Sequence, residues 1–415
     1  MSPTAIESPL ARLTPEQIEE IGREFDAIHD EVYADLGDRD RRYIVSMIEM
    51  HRRLAVMGRV MLFFARWKPA WLAGTATLSM AKILENMEIG HNVMHGQWDW
   101  MNDPHIHSST WDWDTASTSE AWKHSHNYVH HTFTNILGKD KDLGYEIMRI
   151  DPNQKWNPVY LAQPFYNVLL MAFFEWGVAF HDLDFEAIRK GEKSHKEMLH
   201  DLKGIWGKAR NQIVKDYIAF PALSVLLFGK RGYKATATAN FTANIVRNVW
   251  AHSIIFCGHF PDQAYVFTQE EVKDESRGAF YVRQLLGAAN IEGSPLFHVI
   301  SGNLGYQVEH HLFPDMPSTR YAEIAPRVKA ICERYGLPYN TGPFGRQWGM
   351  VHRTILRLAF PGGKPRPKPG PYRGGDGEVR ATAGNGGPPR ERVEEVSGPE
   401  QPSEGVRVSL PPRGG

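Results

Sequence analysis

His91-Asn92-Val93-Met94-His95 closes an apolar stretch that occupies residues 70–89. Imidazoles four positions apart lie on one helical face about one turn apart, so both can turn toward one metal centre. Before this unit, residues 54–65 are apolar apart from Arg59, and Arg66-Trp67-Lys68-Pro69 separates the two stretches. The pattern predicts a hairpin of two membrane spans. Earlier still, Thr14-Pro15-Glu16-Gln17 has the form of a capping box with proline at the first helical position. Ile18, Ile21, Phe25 and Ile28 follow at helical spacing, which predicts an amphipathic helical arm within residues 1–53.

Two further histidine clusters lie downstream. His126-Asn127-Tyr128-Val129-His130-His131 repeats the four-residue spacing and adds an adjacent imidazole about 100° round the helix, so neighbouring residues can face two metals. Gln307-Val308-Glu309-His310-His311-Leu312-Phe313-Pro314 has the same paired ending. With 19 histidines in 415 residues, about one adjacent pair is expected by chance, so the weight rests on the boxes around the pairs. Cys257 and Cys332 are the two cysteines, too few for an iron–sulfur cluster, a cysteine zinc site or a disulfide framework. A formal net charge of -1 points to no nucleic-acid partner.

Three more apolar stretches, 158–181, 213–229 and 235–257, lie between the second and third boxes. The last two are divided by the basic turn Gly229-Lys230-Arg231-Gly232-Tyr233-Lys234. Boxes that share a metal centre need an even number of crossings between them. Residues 158–181 are therefore expected in the interface, with the lysine- and arginine-rich 189–215 left cytoplasmic. Arg247 would cost roughly 2.5–3.5 kcal/mol at the centre of a span and should face the bundle interior or snorkel. The expected fold is an all-α, multi-pass integral-membrane bundle of about four transmembrane helices, with a cytoplasmic helical cap at the metal. Residues 1–40 lack a secretory-signal pattern, so the N-terminus is expected in the cytoplasm. Residues 54–345 form the expected catalytic domain, 346–360 a short helical or connecting segment, and 361–415 a disordered tail dense in proline and glycine.

The three boxes, in this order, resemble the integral-membrane fatty-acid desaturase family over roughly residues 54–345. Gln307 and the HHLFP continuation are similar to the branch with front-end and bacterial acyl-CoA desaturases. The resemblance implies two iron ions and makes His91, His95, His126, His130, His131, His310 and His311 ligands. A further ligand is implied near the end of the last membrane helix: His259 in Cys257-Gly258-His259-Phe260-Pro261, or His252, four after Asn248. Gln307 stands where another branch has histidine. His124 is expected beside the metal rather than on it, with Glu309 and Asp99 as outer partners. His105, His107 and His298 are further candidates; His29, His51, His181, His195, His200 and His352 read as ordinary surface or interfacial residues. Trp98, Trp100, Trp111 and Trp113 fit either a membrane-interface belt or an active-site wall.

Removing hydrogens from an unactivated methylene pair is beyond the pKa or nucleophilicity of any side chain, so an oxygen-activating metal is required. The resemblance implies O₂ as co-substrate and a long acyl chain on CoA or a lipid as substrate. Without a GxGxxG fingerprint or cysteine cluster, electrons are expected from a separate ferredoxin-type or other carrier with an NAD(P)H reductase. Lys139, Lys141 and the basic stretch 203–215 form its expected docking surface. The rival enzyme readings are a histidine-box hydroxylase, monooxygenase or ketolase. A more distant one is a soluble ferritin-like di-iron protein, because Glu88-x-x-His91, Glu192-x-x-His195 and Glu197-x-x-His200 match its signature. A non-enzymatic rival is a membrane metal carrier or lipid-binding protein.

Overall fold

The structure, a computed structural model, describes residues 8–362. The tail expected over 361–415 lies outside the described residues from 363 onward. The predicted capping box is present: Thr14 Oγ1 accepts from the Gln17 N–H at 3.3 Å, and Gln17 Oε1 accepts from the Thr14 N–H at 2.9 Å. It starts α1, Pro15–Ala34, whose stripe of Ile21, Phe25, Ile28 and Val32 is buried. Each such side chain contributes about 1.5–3 kcal/mol relative to exposure. The stripe packs into one core with Tyr281, Leu285, Val308, Phe313 and Val328. The arm is thus a wall of the cap that carries the third box.

The hairpin predicted from residues 54–65 and 70–89 is formed by α2, Asp38–Leu62, and α3, Lys68–Ile83. Leu62 and Leu78 pack with Ala239 and Ala243 of a second hairpin. In that hairpin the helix His195–Ile213 runs on through a wide turn, Val214–Ala219, into Phe220–His259. Gly229, at φ 59° and ψ -154°, breaks the last helix, and Asn244 Nδ2 then reaches back to the Tyr217 hydroxyl at 3.1 Å. The predicted basic turn is therefore narrower than expected, because Lys230 is already helical. Residues 158–181 are likewise divided. Phe173 separates the helices Gln163–Ala172 and Phe174–His181, each shorter than the roughly 20 residues of a vertical span.

Among the described residues, no helix is long and apolar enough to cross a membrane. The charges that lower the hydropathy of these helices point inward. Lys82 Nζ lies 2.8 Å from Asp216, and Arg247, 1% exposed, pairs with Glu175. The outward faces instead carry Val56, Leu72, Phe165, Phe180 and Leu226. Near the cap, Asn290–Glu292 and Thr341–Pro343 pair as two parallel strands. The segment expected over 346–360 belongs to the helix Phe344–Leu358, which is tied down by Gln347 Nε2 donating to Asn290 O at 3.0 Å.

Candidate metal centre

The first two boxes sit on wide helical turns. α3 loosens into a π-helical turn over Leu84–His91, and the second box occupies another over Lys123–His130. Such turns insert an extra residue per turn, re-aim side chains and recur at functional sites. Box three is the short buried helix Gln307–Leu312, and His259 ends the long helix before it. Gly258 permits this meeting, since a Cβ there would lie 2.8 Å from Gln307 Cγ.

The histidines gather in two groups. Ring nitrogens of His91, His95, His126 and His310 lie within 4.8 Å of one another, as do those of His130, His259 and His311. His131 stands between them, its ring centroid 4.7 Å from that of His95, 4.9 Å from His310 and 4.5 Å from His311. The outer nitrogens are engaged. His130 Nδ1 lies 3.0 Å from Asp140, His126 Nδ1 3.2 Å from Asp142, His310 Nδ1 3.2 Å from the Tyr321 hydroxyl, and His311 Nδ1 3.0 Å from Gln284 Oε1. The inner nitrogens are left over: Nε2 of His95, His126, His130, His131 and His310 is buried with no hydrogen-bond partner. A buried lone pair without a donor is costly, so a ring of them is a binding surface for a cation.

Burial, reinforced by neighbouring imidazoles, holds His95, His131, His259, His310 and His311 well below the usual imidazole range. It lowers His91 to about 3. These rings are neutral and keep the lone pair that metal ligation needs. His130 goes the other way: burial pushes it down, but Asp140 and Asp142 outweigh that and raise it.

His252 and His259, both candidates from the sequence, differ in position: His259 lies with His130 and His311, and His252 does not. His259 Nε2 lies 3.2 Å from His311 Nε2 and 3.1 Å from Gln307 Nε2, so Gln307 is a neighbour of the group rather than a remote residue. His252 instead stacks on Phe256 with centroids 3.7 Å apart and lies 3.2 Å from Asn167 Oδ1, while Asn248 Nδ2 donates to Ala172 O. His124 is exposed and stacks on Tyr128, away from the cluster. Asp99 accepts from the Ser108 N–H and hydroxyl and does not reach the histidines it was expected to support. Glu309 is buried and accepts from Tyr339 and Asn290.

His181, read from the sequence as a surface residue, is buried behind box two and bonds Asp142 at 3.1 Å. Asp140, Asp142, Gln284 and Tyr321 were also missed. The aspartates do follow the second box closely, in Gly138-Lys139-Asp140-Lys141-Asp142, and that proximity was the available signal. His298 stacks on Tyr306 away from the cluster, and His107 lies near Ser109. The ferritin-like signature fails in space: Glu88 accepts from Tyr43, Asn303 and Ser318, and Glu197 accepts from Ser194 at a helix cap. Within the expected basic docking surface, Lys141 pairs with Asp184, Lys208 with Asp112 and Lys215 with Asp114, while Lys139, Lys203 and Arg210 are exposed.

Beneath His91 and His126 lies a cavity walled by Met87, Trp113, Trp122, Phe174, Val178 and Ile255. Trp113 lines this cavity together with His91 and His126, whereas Trp98 is buried beside Ile44 and Val93. The model of the fatty acid desaturase family matches residues 65–343. The chain belongs to the fatty acid desaturase family. It is 48% identical over 351 residues to an NADPH-dependent stearoyl-CoA 9-desaturase of Mycobacterium tuberculosis, covering 85% of this chain and 82% of that one. It is also 25% identical over 280 residues to an sn-1 linoleoyl-lipid 6-desaturase of a Synechocystis strain, covering 66% and 76%. Human fatty acid desaturase 3 is 40% identical over 75 residues, or 18% of this chain and 17% of that one.

Proposed function

We propose that this desaturase introduces a double bond at the ninth carbon of a long acyl-CoA, using two iron ions held by His91, His95, His126, His130, His131, His259, His310 and His311. The observation that carries the reading is the inward ring of unpartnered nitrogens above an apolar cavity, with the outer nitrogens fixed by acceptors. The donor set fits: neutral imidazoles suit iron, and outer hydrogen bonds fix their tautomer and orientation. Bound iron would supply the O₂ activation that no side chain can.

The chain's own residues do the rest. Asp140, Asp142 and Gln284 accept from the outer ring nitrogens and so aim the lone pairs inward. Trp113, Trp122 and Phe174 hold the alkyl chain and exclude water. The overall reaction converts a methylene pair, O₂, two electrons and two protons into an alkene and two waters. The electrons come from a separate carrier and reductase; the Mycobacterium relative is named as NADPH-dependent. A multi-pass membrane location is supported by the exposed apolar residues on the outward faces of the helices, which fit contact with lipid or protein.

Expression in a desaturase-deficient host tests the reading. The expected product lacks two hydrogens and carries its double bond at carbon nine; a product that gained oxygen would make the enzyme a hydroxylase. Iron should copurify with the protein, and membrane fractionation tests the location.

A further inference from the structure

Three of the gathered imidazoles are backed by a group that can only accept: Asp142 behind His126, Asp140 behind His130 and the amide oxygen of Gln284 behind His311. His310 is different. Its Nδ1 lies 3.2 Å from a hydroxyl, that of Tyr321. A hydroxyl can donate as well as accept, so the tautomer of His310 depends on where the tyrosine proton goes.

The neighbours of that oxygen place the proton. The Tyr321 hydroxyl lies 3.0 Å from Phe313 O, and a carbonyl oxygen only accepts, so a contact this short needs the tyrosine proton between the two oxygens. Gln97 Nε2 approaches the same hydroxyl at 3.0 Å and Pro314 O at 3.1 Å, while Gln97 Oε1 accepts from the Ser318 N–H at 2.8 Å. Turning this amide over would set oxygen against carbonyl oxygen and nitrogen against an N–H, so Nε2 is the donor to Tyr321. The hydroxyl has then given its proton to Phe313 O and one lone pair to Gln97. What is left for His310 is the other lone pair, which accepts an Nδ1–H. Gln97 and Tyr321 are both fully buried, so bulk water does not compete for these bonds.

We infer that Tyr321 and Gln97 are positioning residues for His310: the hydroxyl holds the ring as its Nδ1–H tautomer with the Nε2 lone pair turned inward, and the glutamine fixes the hydroxyl. Nε2 of His310 is the buried atom left without a partner, as this requires. Gln97 follows His95 by two residues, so one amide ties the end of box one to the loop after box three. The imidazoles it brings into register, His95 and His310, stand with ring centroids 4.7 Å apart. The inference deepens the two-iron reading above and rests on it for what the inward nitrogen binds.

The test uses full-length protein and its Tyr321→Phe and Gln97→Met variants. In iron-free protein with isotope-labelled histidine rings, NMR should show His310, assigned by the loss of its signal in His310→Ala, as the Nδ1–H tautomer. Tyr321→Phe should turn that signal into a mixture of tautomers, weaken iron binding about tenfold to a hundredfold, and alter the Mössbauer signal of one iron while leaving the other as it was. Gln97→Met removes one neutral hydrogen bond to the hydroxyl and should weaken iron binding less, about threefold to tenfold. A lower melting temperature in both variants, with the tautomer and the iron affinity unchanged, would make the pair a brace of the cap alone and overturn the inference. If the unmutated protein binds no iron, the two-iron reading fails, and the tautomer of His310 in the iron-free proteins decides the positioning roles by itself.

Discussion

Oδ2 of Asp142 lies 3.2 Å from Nδ1 of His126, and the other oxygen of the same carboxylate lies 3.1 Å from Nε2 of His181. One half-buried carboxylate thus bridges a box-two imidazole and a histidine outside the boxes. Carboxylates in this position fix the tautomer and raise the basicity of the ring. Asp142→Asn offers an amide that can donate as well as accept, so the ring loses its fixed tautomer. The expected result is a loss of about tenfold to a hundredfold in iron affinity or turnover. Iron per polypeptide and product formation check it, and full iron with full activity would contradict the positioning role.

The two histidines near the end of the long helix should separate cleanly. His259→Ala removes a ring that faces His311 and Gln307, so iron content and activity should fall to background. His252→Ala opens a hole beside Phe256 and Asn167 and should lower stability by about 2–4 kcal/mol while iron content per folded protein stays near that of the unmutated enzyme. Thermal unfolding and metal analysis on both variants distinguish the two outcomes. Equal iron loss in both would place His252 at the metal after all.

Box two holds its own contrast. His131 lies between the two groups with both ring nitrogens unpartnered, whereas His124 is exposed on Tyr128. His131→Ala should abolish desaturation without unfolding the protein, and His124→Ala should keep most activity. Product yield and iron content, measured on protein of matched abundance, decide the matter. Retention of wild-type iron by His131→Ala would remove that residue from the ligand set.

The histidine boxes were legible because their spacing is local: imidazoles one turn apart must share a helical face, and His91 does meet His95 as His126 meets His130. The capping box at Thr14 was legible for the same reason. What stayed hidden depends on contacts across the chain. Asp142 reaches His181 only because the 174–181 helix folds back on box two, and no local pattern announces that. His124 misled because its two-residue offset from His126 turns it outward. The long helices were harder still to read, since Lys82, Asp216, Arg247 and Glu175 are polar in the sequence yet pair with one another inside the bundle.

The seat of the N-terminal arm can be tested at one glycine. α1 crosses the helix Arg277–Gly287 so closely that a Cβ on Gly278 would lie 1.9 Å from Ile18 O, a backbone atom that cannot swing aside. Gly278→Ala should force the two helices apart and destabilise the cap by about 1–3 kcal/mol, the range for an overpacked core. Denaturant titration reads the loss, and proteolysis should reach α1 first. An unchanged midpoint would mean that the arm is not held by this crossing.

Asp182 supplies a pH dependence whose sign can be worked out. Its carboxyl is buried, and burial raises its pKa to about 6, opposed by hydrogen bonds from Ser117 and from Ser125 at 2.6 Å. A pKa raised in the folded state means that the fold prefers the protonated form. The favourable contribution is fully present below the unfolded value of about 3.9 and is lost as pH rises through the folded value. A carboxyl raised that far gives up roughly 3 kcal/mol on ionising, and most of this loss falls between about pH 4 and pH 7. Asp182→Asn keeps an oxygen acceptor and does not titrate. Its melting temperature relative to the unmutated enzyme should therefore rise with pH across that window and level off above it. Differential scanning of both proteins in one detergent at several pH values measures the gap. A gap that stays constant, or one that shrinks as pH rises, would show that Asp182 is not held against its own ionisation.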